Sequence, residues 1–388
     1  MNALRVLKSK IDIAPFNMLS ALLLLFYISE SINKIYISRY YESFVWTAYL
    51  KVLVILIAFL FLVKQNYKSL VGIVLIMVCF VVGQYYINPN FEKHVLINVL
   101  KYVFAILMLL FFRELKLSGS KVKNAALVFE YIILFNSLLI LLGFFFDIPI
   151  FKTYKTRYGY NGLLTSSATS SYVYFIAIIY YINKYKVRIV INWQALLVLT
   201  AGILVGTKSL YLVFVLMGIY FGYIFVKTDV NKIKKIGLIT LLIGLGVFTG
   251  LKLETKFRII AEEHDLLTSI LSFRNQLLVD QVLPFIEKQW TLINYAFGGV
   301  NDISSRAQLG LFDLLYFFGL IGTVLYLYFY FKALISFKIN SLYIFFLVLL
   351  ALLIFTTGNF FLNASVVIYM VLLKEVFRIK HIEKKENQ

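Results

Sequence analysis

The chain has one cysteine, Cys79, and three histidines, His94, His264 and His381. A lone thiol closes no disulfide within the chain, and the histidines lack the spacing of a shared metal site. Acidic residues are also scarce, with 19 Asp and Glu against 38 Lys and Arg and a formal charge of +19. No phosphate-cradling Walker sequence, no dinucleotide fingerprint and no His-Glu-x-x-His pair occurs in the 388 residues. Nucleotide-dependent and zinc-hydrolase chemistries therefore have no motif to rest on. Polar residues as a whole are in short supply. Hydrophobic types make up 61% of the chain and mean hydropathy is +0.87, which leaves too little polar surface to clothe a soluble body of this length.

What the chain has in abundance is unbroken apolar sequence in runs of about 20 residues, the length that crosses a hydrocarbon core as a helix. The runs are continuous and do not alternate, which excludes a transmembrane barrel. The expected fold is an all-α integral membrane protein of about twelve transmembrane helices. The spans fall near 15–33, 43–63, 68–88, 94–112, 125–146, 168–183, 191–206, 208–226, 235–251, 310–331, 341–357 and 362–377. The basic start is not followed by a small-residue cleavage site, so the first run is expected to be a retained helix. The organisation is then 1–251 with spans one to nine, an external helical loop over 252–309, and 310–388 with the last three spans and a basic tail.

Charge gives this arrangement a direction. With both termini in the cytoplasm, most Lys and Arg residues fall in cytoplasmic segments, including Arg113, Lys116, Lys121 and Lys123 and the tail Arg378, Lys380, Lys384 and Lys385. That is the positive-inside bias. The positive charge is thereby read as topology and lipid-headgroup attraction, with no nucleic acid implied. Two groups of basic residues oppose the rule. One lies at 147–167, with Lys152, Lys155 and Arg157; the other lies at 252–309, with Lys252, Lys256, Arg258, Arg274, Lys288 and Arg306. Within 252–309, helical periodicity at 261–272 and 273–294 predicts short helices roofing a cavity, broken at Pro284 and at Gly298-Gly299.

Three external stretches combine a cation with small polar residues. Arg157-Tyr-Gly-Tyr-Asn-Gly-Leu leads to Thr165, Ser166 and Ser167 at the start of a span. Gly206-Thr207-Lys208-Ser209 forms a tight turn between two spans, and Ser272-Phe273-Arg274-Asn275 sits in the large loop. Several cations held on one side of a membrane suit an anion such as a diphosphate. The loop carboxylates Glu262, Glu263, Asp265, Asp280 and Asp302 show no paired spacing that marks a general base. Lys51, Lys101 and Glu130 fall inside expected spans, where charge is a functional hint, with snorkelling or structural pairing as the competing account.

At these residues the sequence resembles the superfamily of O-antigen polymerases and O-antigen ligases. The similar features are Arg157 followed by a spacer and Gly162-Leu163, the Thr207-Lys208-Ser209 turn, Ser272-Phe273-Arg274, and the Gly298-Gly299 break. To these are added Asp313-Leu-Leu-Tyr-Phe-Phe-Gly319-Leu-Ile-Gly322 and the late turn Gly358-Asn359. The resemblance covers about 150 to 360. Gln308 stands where ligases carry His and many polymerases Glu, a departure that weakens a proton-accepting role there and the ligase reading. The resemblance implies a glycosyltransferase that needs no cofactor and no metal. It would transfer glycan from an undecaprenyl-diphosphate-linked oligosaccharide to a lipid-linked repeat unit on the periplasmic face of the bacterial inner membrane. A chain-length regulator would be a possible partner protein. Arg157, Lys208 and Arg274, with Gln308 and Asp313, are the implied catalytic residues. Thr207, Ser209, Arg258, Arg306, Asn161, Tyr160 and Asn359 are the implied substrate contacts, with Tyr158 beside them. An O-antigen ligase and a lipid-linked oligosaccharide flippase are the alternatives.

Overall fold

A computed structural model describes residues 17–44, 46–90, 93–154, 158–227, 259–302 and 305–386. Among these the protein is all-α, and its one β feature is the isolated bridge between Lys152 and Tyr160. The long helices, in chain order, are α1 Met18–Tyr40, α2 Trp46–Asn66, α3 Val71–Tyr85, α4 Lys93–Leu115, α5 Gly119–Phe146, α6 Ser167–Tyr185, α7 Trp193–Leu204 and α8 Lys208–Lys227. After a run of short helices come α9 Gly310–Leu334, α10 Ser341–Thr357 and α11 Ala364–Glu386. Every expected apolar run inside the described residues coincides with a helix; the run at 235–251 lies outside them.

Among the described residues, length and composition suffice to cross a membrane in four continuous stretches: Met18–Tyr40, Trp46–Tyr85, Gly119–Phe146 and Gly310–Leu334. The second is two helices. Asn66, at φ −159° and ψ 72°, leaves helical geometry before the tight turn Tyr67–Leu70, and the chain doubles back. Lys51 therefore lines the same end of the bundle as Gly83, whereas Asn66 and Ser69 meet Glu114 and Arg113 at the other end.

The outside of the bundle is its most apolar part. Along α2, Val52, Leu53, Leu56, Leu60 and Val63 are exposed, and along α9 so are Leu320, Ile321 and Val324. A soluble protein does not present such a surface, while lipid tails solvate it at no cost. Burial cannot drive these helices together in lipid, so packing and internal hydrogen bonds must. The central pair α6 and α11 is buried nearly all round, from Ala168 to Asn183 and from Ser365 to Glu375. Polar contacts join the helices. The Asn136 side chain on α5 accepts from the Tyr27 hydroxyl on α1 (3.2 Å) and donates to the Tyr174 hydroxyl on α6 (3.1 Å). At the basic end, Glu375 is fully buried and is met by Lys374 (3.1 Å) and Arg378 (2.6 Å); Arg378 also donates to the Leu117 carbonyl.

Local signals explain the helix starts. Asn17, Ser166, Asn192 and Asn340 each accept from backbone amides of the first turn with a side-chain oxygen, which satisfies donors that have no intrahelical partner. The segment before α9 contains short helices at Leu266–Leu271, Arg274–Leu277, Leu283–Gln289 and Leu292–Phe297. The α-helical run is interrupted just ahead of Pro284, where the sequence expected a break. Pro284 sits in the first turn of Leu283–Gln289, just after a π-helical turn at Leu278–Val282. Proline is tolerated in a first turn, where no amide hydrogen bond is required of it. The Gly298-Gly299 break is present, with φ of +77° and +131°. A Cβ on Gly298 would lie 2.5 Å from the Gly319 amide nitrogen, so this glycine lets the loop lie directly on a kink in α9, where Gly319 has φ +64°.

Candidate active site

At the end of the bundle opposite Glu375 lies a cavity of about 540 Å³. Its walls come from α1 (Glu30, Asn33), α2 (Lys51), α4 (Asn98, Lys101), the start of α6 (Thr165, Ser166, Thr169) and two loops (Asp302, Arg306; Asn359, Leu362, Asn363). Among the described wall residues Leu362 is the single apolar side chain. A polar chamber at the end of an apolar bundle is where charged residues inside a membrane protein are expected to gather.

Three of those side chains are cations. Lys101 donates to Asn98 Oδ1 at 2.8 Å, and the charges of Lys51 and Arg306 both reach it. Arg306 donates from Nη2 to Asn359 Oδ1, so two residues expected from sequence to contact substrate are in direct contact. Like charges repel in a low-dielectric chamber; an arrangement that keeps three of them close is suited to a multivalent anion.

Behind Arg306 is Asp313, at 4% exposure, whose Oδ1 has no hydrogen-bond partner among the described residues. Arg306 and Arg274 are the cations whose charges reach its carboxylate. Arg306 also lines a small adjoining void with Tyr102, Val300, Asp313, Tyr316 and Phe317. It thus stands between the cavity and the buried acid. Arg274 donates to the Thr356 carbonyl, one turn before the loop that carries Asn359, and does not line the cavity.

The other expected residues have different surroundings. Lys208 donates to the Ser269 carbonyl, tying the start of α8 to the helix Leu266–Leu271. Thr207 is buried with its hydroxyl 2.7 Å from that of Ser171. Ser209 is half-buried outside the cavity. Gln308 has φ +56°, and its carbonyl lies where a Cβ on Gly358 would fall; it orders two loops against each other and does not line the cavity. Tyr160 donates to Asp147 Oδ1 (3.0 Å) beside the Lys152–Asp147 ion pair (2.7 Å). These two bonds hold the Asp147 carboxyl below the usual carboxylate range, and burial, followed by the Asp147 bond, pushes the Tyr160 phenol up. Tyr158 packs edge-on to Tyr160. Asn161 is buried, donates to the Leu164 carbonyl (2.8 Å) and accepts from Lys34. Lys34 also donates to the carbonyls of Gly162 (2.6 Å) and Lys152, so one buried ammonium shapes the loop ahead of α6. Arg157 and Arg258 lie outside the described residues. Of the loop carboxylates, Asp265 caps Leu266–Leu271, Glu262, Glu263 and Asp280 are exposed, and Asp302 lines the cavity.

Among the described residues of 252–309, only Asp302 and Arg306 line the chamber; its remaining walls come from helices and loops elsewhere in the chain. Sequence reading passed over Glu30, Asn33, Asn98 and Asn363. Lys51 and Lys101 carried a usable signal, charge inside an apolar run, whereas Glu30 shows only as an acid near the end of one. Comparison of the chain with protein-family models, curated proteins and solved structures yields no match.

Proposed function

We propose that the protein is a polymerase of a bacterial surface polysaccharide, an O-antigen or a capsule. In this reading it has about twelve spans with both termini in the cytoplasm, and the cavity faces the periplasm. The donor is a glycan on a polyprenyl diphosphate, and the acceptor is a hydroxyl of an incoming lipid-linked repeat unit. The observation that carries the reading is the set Lys51, Lys101 and Arg306 around one polar chamber at the end of a bundle whose outer surface is apolar. A lipid-linked diphosphate needs both surfaces, since its tail stays in the bilayer while its head needs cations.

The reaction breaks the bond between the anomeric carbon and the diphosphate oxygen. Negative charge then grows on the leaving group, and cations already in place stabilise that charge more than the charge of the bound donor, which accelerates the step. Lys51, Lys101 and Arg306 hold the diphosphate, and Asn359 orients Arg306. Asn98 and Asn363 supply neutral hydrogen bonds to sugar hydroxyls. Lys208 and Arg274, through the carbonyls they hold, keep the outer helices and the Asn359 loop in position.

The test is deletion of the gene in its host, followed by gel analysis of the surface glycan. A polymerase mutant displays a single repeat unit on its anchor. Loss of all surface glycan would instead indicate a ligase or a flippase and would overturn the reading.

A further inference from the structure

Glu30 lies ten residues before the end of α1 and half-buried in the cavity wall. Its Oε2 accepts from the Thr165 hydroxyl and its Oε1 from the Ser365 hydroxyl at 2.7 Å. The nearest basic residue along its own helix face is Lys34, one turn on, the natural partner for a structural pair. Lys34 is occupied elsewhere, by Asn161, Gly162 and Lys152. Glu30 makes no ion pair among the described residues. It contrasts with Glu130, paired to Lys184, and with Glu375, paired to Lys374 and Arg378. A carboxylate in a membrane helix normally has such a partner unless it has work to do.

Among the described residues, two carboxylates line the cavity, Glu30 and Asp302. Asp302 is on an exposed loop, whereas Glu30 is fixed by two hydroxyls from α11 and from the approach to α6. Each carboxylate oxygen retains acceptor capacity after one such bond. The same chamber is lined by Lys51, Lys101 and Arg306. A donor whose diphosphate rests on those cations would present its anomeric carbon between them and Glu30, with room for an acceptor sugar in about 540 Å³.

We infer that Glu30 is the proton acceptor of the transfer, an assignment that rests on the polymerase reading above. The acceptor hydroxyl oxygen forms the new bond to the anomeric carbon as the carbon–oxygen bond to the diphosphate breaks. The bonding pair leaves on the diphosphate, which Lys51, Lys101 and Arg306 receive, and the hydroxyl proton passes to a Glu30 oxygen. Thr165 and Ser365 hold the carboxylate and are positioning residues.

The experiment uses the full-length protein, purified into nanodiscs, and single lipid-linked repeat units extracted from the deletion strain. Wild-type protein converts the single units into a ladder of oligomers. Glu30→Gln keeps the shape of the side chain and removes the base. Its turnover is expected to fall by about 100-fold or more, the usual contribution of a positioned base, with KM for the lipid-linked unit within about threefold of wild type. Turnover within a few-fold of wild type overturns the assignment, as does a loss confined to KM. Should Glu30→Gln fail to accumulate in the membrane, Glu30→Asp decides, because it retracts the carboxylate by one methylene. Misplacement on that scale is expected to lower turnover about tenfold or more, and unchanged turnover refutes the geometry. A wild-type protein that builds no ladder overturns the polymerase reading itself and the inference with it; a normal ladder from a Glu30 variant overturns the inference alone.

Discussion

Replacing Arg306 by glutamine separates the two directions in which this residue acts. Toward the cavity it presents a cation and holds Asn359. Toward the interior its charge reaches Asp313, a carboxylate at 4% exposure with an unpartnered oxygen. Loss of a hydrogen bond to a charged group costs about 1.5–3 kcal/mol, and stripping a buried charge of its only partner costs about 3–5 kcal/mol. Arg306 is half-exposed and Arg274 still reaches Asp313, so the expected loss of stability is about 2 kcal/mol, at the low end of both ranges. The functional loss is separate. Removing one preorganised donor from a developing negative charge typically slows the step by about 10²–10³, so Arg306→Gln is expected to leave little beyond single repeat units on the cell surface. The double variant Arg306→Gln/Asp313→Asn removes the stranded charge as well. It is expected to regain thermal stability, read as the temperature at which half of the detergent-extracted protein aggregates, without regaining chain growth. Wild-type glycan lengths in Arg306→Gln, or recovery of chain growth in the double variant, would refute the separation.

Four further outcomes are expected. Glu375→Gln leaves the buried Lys374 and the partly exposed Arg378 without their carboxylate partner and should lower thermal stability by about 3 kcal/mol, read by the same aggregation assay with the single-unit affinity unchanged. Gly358→Ala puts a methyl group onto the Gln308 carbonyl at φ +64°, so membrane abundance on immunoblots should collapse. Asp147 has a lowered folded-state pKa, so its contribution to stability is present above the ordinary aspartate range and disappears as pH falls through the folded value. Asp147→Asn should therefore flatten the acid limb of the thermal-stability profile below the ordinary aspartate range, and an unchanged limb would count against the Lys152 and Tyr160 contacts. In a Cys79→Ser background, cysteines at Glu42 and Lys123, at opposite ends of the bundle, should react with an impermeant maleimide from opposite faces of the membrane. Labelling of both from the same face would contradict the topology.

The helices were legible because lipid enforces a length and a composition on each. Runs such as 125–146 and 310–331 had to be helices whatever they packed against, and the structure extends them to Gly119–Phe146 and Gly310–Leu334. Ser166 marked a start by the same local chemistry used in soluble proteins, whereas the Asn17 cap went unread. The cavity was far less legible. Glu30, Lys51, Lys101 and Asn363 come from four different parts of the chain, and nothing local to any of them encodes that they share a wall. The glycines showed a similar limit. Gly298 was visible as a break and Gly319 as part of a motif, but not as each other's partner. Lys208 and Arg274 looked like ligand-binding cations because small polar residues flank them, and that flanking chemistry equally suits a side chain that caps a carbonyl.

The contact between Ser365 and Glu30 joins the last helix to the first. Ribosomes deliver these helices in order, so α1 waits through the synthesis of more than 300 residues before its partner arrives. Until then the chamber lacks its Asn359, Leu362 and Asn363 wall, and Glu30 lacks the Ser365 hydroxyl. A nascent chain therefore carries an incomplete chamber, and so would a product truncated before α11. Such a truncation should be fully inactive and not merely slower.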